Sequence, residues 1–191
     1  WGDAAAAFRR ALSLQPKAAE CCYLLGRVLV EDGKLEEAVR AFEGCVRLAP
    51  HHLGAWNQLG RRLVELERFD AALVAYQAIV AAKPDNRIGW QNLGNIQLHQ
   101  RRFDEAEAAF SRAVGIDPRV AEGWHGIGSS LSGAGRSDAA AEALAEAQQR
   151  YPDHVPSFLE MARHESDACR FFEALRNFQH AEAQEHDNLS V

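Results

Sequence analysis

The chain has 191 residues, 47% hydrophobic and 25% charged, with a formal net charge of −6. That balance excludes a disordered chain and fits a folded domain with a substantial core. It also argues against a nucleic-acid partner, because Lys and Arg are scattered rather than gathered into a basic footprint. No apolar run is long enough to enter and cross a bilayer, and the opening WGDAAAAFRRALSLQP lacks the basic segment, apolar core and cleavage site of a signal peptide. Cys21, Cys22, Cys45 and Cys169 show no CxxC spacing and no flanking His at zinc-site spacing, so they read as small buried residues of a reducing, cytoplasmic compartment.

In chain order, residues 1–18 read as one helix, and the blocks 19–52, 53–86, 87–120, 121–154 and 155–188 each read as two. The period comes from Pro16, Pro50, Pro84, Pro118 and Pro152, which stand 34 residues apart. On that register Gly26, Gly60, Gly94 and Gly128 form one column, and Trp56, Trp90 and Trp124 another. A third holds Ala4, Ala38, Ala72, Ala106, Ala140 and Ala174, and a fourth Phe8, Phe42, Tyr76, Phe110, Leu144 and Phe178. In block 87–120, Trp90, Leu93 and Ile96 recur at helical spacing, and after the polar break at Gln100, Arg101 and Arg102 so do Phe103, Ala106, Phe110, Ala113 and Val114. Proline closes each block because it cannot continue the second helix. The Gly and Ala columns mark close approach of helices, and the aromatic columns, the tryptophans among them, are expected to fill the space between neighbouring pairs. No block can bury its apolar face alone, so the blocks stack into a solenoid.

Trp90, Leu93, Gly94, Ala106, Phe110 and Pro118 carry the pattern W-x2-L-G…A-x3-F…P, which resembles the tetratricopeptide repeat. The resemblance implies an all-α, right-handed superhelix with five full repeats after a half repeat, and covers the whole chain as one domain. Trp1 enters at position 17 of a repeat, and the last block departs most, with Ala162 in the glycine column, Glu165 in a leucine slot and His186 in place of proline. With no polar capping helix after Phe171, Phe172, Leu175 and Phe178, the chain is expected to be a segment of a longer protein, or to have an end covered by a partner or another copy.

The stretch WHGIGSSLSGAG, residues 124–135, invites a phosphate-loop reading, but no strand precedes it. Gly128 belongs to the repeat column and Gly135 to the turn slot shared with Gly33, which leaves Gly126 and Gly133 unexplained. In tetratricopeptide proteins, positions 2, 5, 6, 9, 12 and 13 of the first helix line the concave face. Carried onto this chain, they include Tyr23, Leu24 and Arg27, then Asn57, Gln58 and Arg61, then Gln91, Asn92, Asn95 and His99. The fourth repeat adds His125, Gly126, Ser129, Ser132 and Gly133, and the fifth Glu160 and Arg163. The surplus small residues of the fourth predict a deepened floor on a soft helix.

A row of Asn and Gln carries donor and acceptor together and suits the main chain of an extended peptide, although surface helices commonly display the same residues. The row is similar to the asparagine ladder of O-GlcNAc transferases, with Asn92 at the ladder position, Gln58 a near match, and Leu24, Gly126 and Glu160 departing. The pairs Tyr23 with Arg27, Asn57 with Arg61, and Ile88 with Asn92 do not form the carboxylate clamp of chaperone cochaperones. Arg27 and Arg61 can hold a ligand carboxylate, or pair with Glu31 and Glu65 four residues on. His99 and His125 would make binding pH-sensitive.

Glu160, His164 and His186 lack a third ligand at defined spacing, so no metal or other cofactor is expected. No catalytic constellation or cofactor fingerprint is present, so this segment is not expected to be an enzyme. The expected function is a scaffold that binds an extended peptide or partner segment along the groove. The rival readings are the substrate-recruiting arm of a larger enzyme such as a glycosyltransferase, and self-assembly into a homo-oligomer through the ends.

Overall fold

The computed structural model describes residues 1–189, with side chains through Gln184. Every described element is a helix: α1 (Gly2–Leu14), α2 (Ala19–Glu31), α3 (Leu35–Leu48), α4 (Leu53–Glu65), α5 (Phe69–Ala82), α6 (Arg87–His99), α7 (Phe103–Ile116), α8 (Ala121–Gly133), α9 (Ser137–Arg150), α10 (Val155–Asp167) and α11 (Phe171–Leu189). Residue contacts cluster into two compact units, Trp1–Asp85 and Asn86–Val191. The first therefore holds α1 to α5 and the second α6 to α11.

The turn inside each repeat follows one rule. Its middle residue sits in the left-handed region, as Gly33 (φ 73°), Glu67 (57°), Arg101 (59°), Gly135 (75°) and Cys169 (59°). The next residue is basic and donates its N–H five residues back, Lys34 to Leu29 O at 2.9 Å, Arg68 to Leu63 O at 2.8 Å and Arg136 to Leu131 O at 2.9 Å. These bonds satisfy the carbonyls left open at the helix end and set the angle at which the second helix returns. Only Gly adopts this conformation without steric cost, so Glu67, Arg101 and Cys169 hold it under strain.

Packing within a repeat pairs a glycine with a large side chain. A Cβ placed on Gly26 would lie 2.6 Å from Phe42 Cε1, one on Gly60 2.8 Å from Tyr76 Cζ, one on Gly94 3.0 Å from Phe110 Cδ2, and one on Gly128 2.6 Å from Leu144 Cγ. Phe42, Phe110 and Leu144 are at most 1% exposed, and each buried side chain of this size contributes about 2–3 kcal/mol. Ala38, Ala72, Ala106 and Ala140 are fully buried beside them, as the alanine column requires. The tryptophans differ from the expectation. Trp56, Trp90 and Trp124 are half-buried, and Trp56 Nε1 donates to Pro50 O at 2.8 Å and Trp124 Nε1 to Pro118 O at 3.2 Å. The indole N–H needs an acceptor, and the turn before each helix supplies one.

The last repeat solves its irregular residues with a polar chain. Glu165, in the leucine slot, is buried and accepts from Asn177 Nδ2 at 2.7 Å, and Asn177 Oδ1 accepts from Gln148 Nε2 at 3.2 Å. Three helices, α9, α10 and α11, are thereby joined through one side-chain network.

Candidate functional site

The residues that the sequence assigns to the groove lie on the outward faces of the first helices. In the first unit Arg27 and Arg61 are exposed, and Tyr23, Asn57 and Gln58 are half-buried. In the second, Asn95, His99 and Arg163 are exposed, and Gln91, Asn92, His125 and Ser129 are half-buried. Asn57, Gln58, Asn92 and Asn95 make no side-chain hydrogen bond among the described residues. Gln91 differs, because its Oε1 accepts from Arg87 Nη1 on the same helix at 2.7 Å. Arg163 is paired with Glu160.

Two of these side chains are partly covered by the cap of the next first helix. His52 caps α4 by accepting from Ala55 N at 3.0 Å, and its ring packs on Tyr23 with centroids 4.6 Å apart. The same slot in the second unit holds His154, whose Nδ1 lies 2.7 Å from Ser157 Oγ and whose ring meets His125 edge-on at 5.6 Å. Burial, and next the neighbouring His154, push the His125 imidazole below the usual histidine range, with Glu160 and Glu122 opposing. Burial lowers His154 as well. Both rings are therefore held towards the neutral form, in a pair where two imidazolium charges would repel.

The fourth repeat departs from the expectation. Gly126 and Gly133 do not open a floor on the groove: a Cβ on Gly126 would lie 2.5 Å from Phe110 Cδ1, and one on Gly133 2.3 Å from Phe103 Cε1. A Cβ on Gly123 would lie 2.6 Å from Val114 Cγ2, so three glycines of α8 receive three side chains of α7. Fully buried Ser130 stands on the same face and donates to Gly126 O at 2.7 Å. The space expected to be free for a ligand is filled by the preceding repeat. The spacing of Gly123, Gly126, Ser130 and Gly133, three, four and three residues, is the signature of one helical face and was the available signal for this packing. Ser129 and Ser132 are half-buried and remain outside that contact.

Known families match the chain in segments. Tetratricopeptide-repeat models match residues 57–121 and 124–154, and a model of the anaphase-promoting complex, cyclosome, subunit 3 matches residues 1–79. The chain is a tetratricopeptide-repeat solenoid. Among solved structures, MamA from Desulfovibrio magneticus RS-1 is 16% identical with a TM-score of 0.80, covering 88% of this chain and 96% of its own. YrrB, described as a tetratricopeptide protein with an unusual peptide-binding site, is 20% identical with a TM-score of 0.75 over 97% of this chain and 95% of its own. A thermophilic tetratricopeptide protein of Thermus thermophilus is 22% identical with a TM-score of 0.69, over 91% and 94%. No curated protein matches the sequence significantly.

In this solenoid the arginines of the face take different partners from those the sequence suggests. Glu65 is bound by Arg62 Nη1 at 3.0 Å, and Arg27 lies over the Tyr23 ring at 5.9 Å from its centroid. Arg27 also borders a pocket of about 330 Å³ between α1 and α2, whose walls are Trp1, Phe8, Leu24 and Val28, with Glu31 at the rim. The repeat pattern gives no sign of this pocket, because Phe8 belongs to the packing column. Glu160 is engaged by Arg163 and His164 is buried, while His186 lies outside the residues whose side chains are described. Among the described residues no group of three metal-ligating side chains is assembled, and no helix is long and apolar enough to cross a membrane. The Cys45 thiol is pushed up to about 11 by burial, and burial raises Cys22 too, which keeps both as unreactive packing residues.

Proposed function

We propose that this solenoid is a protein-interaction module that holds an extended segment of another protein on the faces of its first helices. The observation that carries the reading is the pair of amides at Asn92 and Asn95 on α6 in the second unit, matched in the first by the pair Asn57 and Gln58 on α4, each pair on an accessible helix face with no side-chain hydrogen bond among the described residues. An amide offers a donor and an acceptor, the two groups that an extended main chain repeats along its length. Arg61 stands beside the first pair on α4 as a fork for a carboxylate. The pocket at Arg27 supplies apolar walls for one ligand side chain with a guanidinium at its edge.

The test is capture on an array of extended peptides, comparing the unaltered chain with Asn92→Ala and Asn95→Ala combined. Each amide that bonds main chain contributes about 0.5–1.5 kcal/mol, so the double change is expected to weaken capture by roughly tenfold. Helical content by circular dichroism is expected to stay the same, since both residues lie outside the core. Capture that is unchanged moves the site away from α6.

A further inference from the structure

The last residue of the first and of the fourth full repeat is histidine, and each ring leans on the fifth residue of the first helix before it. In the first unit that fifth residue is Tyr23, and in the second it is His125. The second unit thus has two titratable rings where the first has one, at a joint where consecutive first helices, α8 and α10, touch directly. A histidine beside a tyrosine meets no like charge at mildly acidic pH, whereas two histidines do.

The anchors of the two histidines differ in the same sense. His52 Nδ1 accepts from Ala55 N, a backbone group that can only donate, so that bond exists only while the nitrogen is unprotonated. The residue in the matching place beside His154 is Ser157, fully buried, with Oγ 2.7 Å from Nδ1. A hydroxyl donates to a neutral imidazole and accepts from an imidazolium, so this anchor serves His154 in either charge state. The joint of the second unit therefore holds a ring that can take a proton without losing its partner, set against a second ring that can take one too.

The surroundings leave that charge largely uncancelled. Glu122 of α8 acts on both rings, and Glu160 and Arg163 of α10 act on His125. Arg163 binds Glu160 and offsets it. α7 meets α8 through Phe103, Phe110 and Val114, and α9 through Leu144, none of them charged. On α6 the residue in the column of His125 is Gln91, tied to Arg87. His154 also stands at the N-terminus of α10, the positive end of a helix. Glu122 alone remains to balance two imidazolium charges. We propose that His125 and His154 form a proton-operated release: protonating both rings drives them apart, loosens α8 from α10 and weakens the grip of the second unit's first-helix faces on a bound segment. The release rests on those faces holding an extended segment. Burial holds both imidazoles below the usual histidine range, which puts the change on the acid side of about pH 6.5.

Two measurements on the whole chain test this. Histidine ring resonances followed from about pH 8 to about pH 5 report the joint: an Overhauser contact between the two rings is expected at neutral pH and is expected to vanish as both take up protons. Capture on the array of extended peptides at the two ends of that range reports the release, with a loss of roughly tenfold expected on acidification. His125→Tyr, which installs the ring of the first unit, is expected to keep its contact with His154 and to bring the two captures within about twofold of each other. Rings that stay in contact when both are protonated overturn the joint, whatever the peptides do. Capture that is equal at both pH values in the unaltered chain, or that falls as far in His125→Tyr and so belongs to exposed His99, overturns the release. Capture absent at neutral pH overturns the holding of a segment and the release with it, while the ring contact still decides the joint.

Discussion

The junction of α3 with α4 and the junction of α7 with α8 occupy the same place in the repeat, yet they are filled in opposite ways. On α4 the residues at the two outer slots are Gln58 and Glu65, which keep their side chains on the accessible face. On α8 the same slots hold Gly126 and Gly133, and the rings of Phe110 and Phe103 occupy the volume. Phe110 is thus enclosed on both edges, by Gly94 of its own repeat and Gly126 of the next. One column of the repeat carries accessible polar side chains in one unit and packed glycines in the other, so a face read from family positions has to be checked against the helix behind it.

The largest expected effects come from filling the α8 glycines. Helix propensity alone favours Gly126→Ala by about 1 kcal/mol. The contact of 2.5 Å with Phe110 outweighs that gain, because overpacking costs typically about 1–3 kcal/mol. Urea denaturation is therefore expected to show a net loss for Gly126→Ala, a change within about 0.5 kcal/mol for Gln58→Ala, and a gain of about 0.5–1 kcal/mol for Gly115→Ala on α7, where a Cβ meets nothing within 4 Å. A stabilised Gly126→Ala would dissolve the contrast between the junctions.

Acidification is expected to act on the second unit in the middle range of effect. The folded-state values of His125 and His154 are depressed below the ordinary histidine value of about 6.5, so the unfolded chain binds more protons in the window between them. The contribution is present above about pH 6.5 and is lost as pH falls through the folded values. Hydrogen-exchange protection of α8 and α10, corrected for intrinsic rates, is expected to fall between neutral and mildly acidic pH, and His125→Phe to reduce that dependence. Equal dependence in the variant would place the effect elsewhere.

The smallest difference concerns the ion-pair rungs. Arg68 binds Glu36 in the first unit, and Arg136 binds both Asp104 and Glu107 in the second. All five side chains are between 30% and 87% exposed, so screening by solvent and salt limits each rung to about 0–1 kcal/mol. Arg68→Ala and Arg136→Ala are expected to shift the thermal midpoint slightly at low salt and not at high salt. A large shift at high salt would mean that these arginines pack rather than pair.

The fold was legible because a repeat prints its core five times. Gly26, Gly60, Gly94 and Gly128 each meet the large side chain that stands sixteen residues later in the same repeat, and one aligned column carries that fact. The glycines of α8 were legible only in part, since their partners Phe110 and Phe103 lie in the preceding repeat and no other copy shares the arrangement. The binding of Glu65 by Arg62 instead of Arg61 was hidden for the same reason. Periodicity reports contacts that every unit makes, and it is silent on contacts made once.

The left-handed turn residue has a further consequence at Arg101. Glycine would relax the backbone there, but it would also remove the guanidinium that lies 5.6 Å from the centroid of the Phe103 ring. Phe103 is the ring that Gly133 meets from α8. The strained turn therefore keeps a guanidinium beside a ring that the next repeat meets with a residue that has no side chain, so one aromatic side chain links the turn of its own repeat to the helix of the following one.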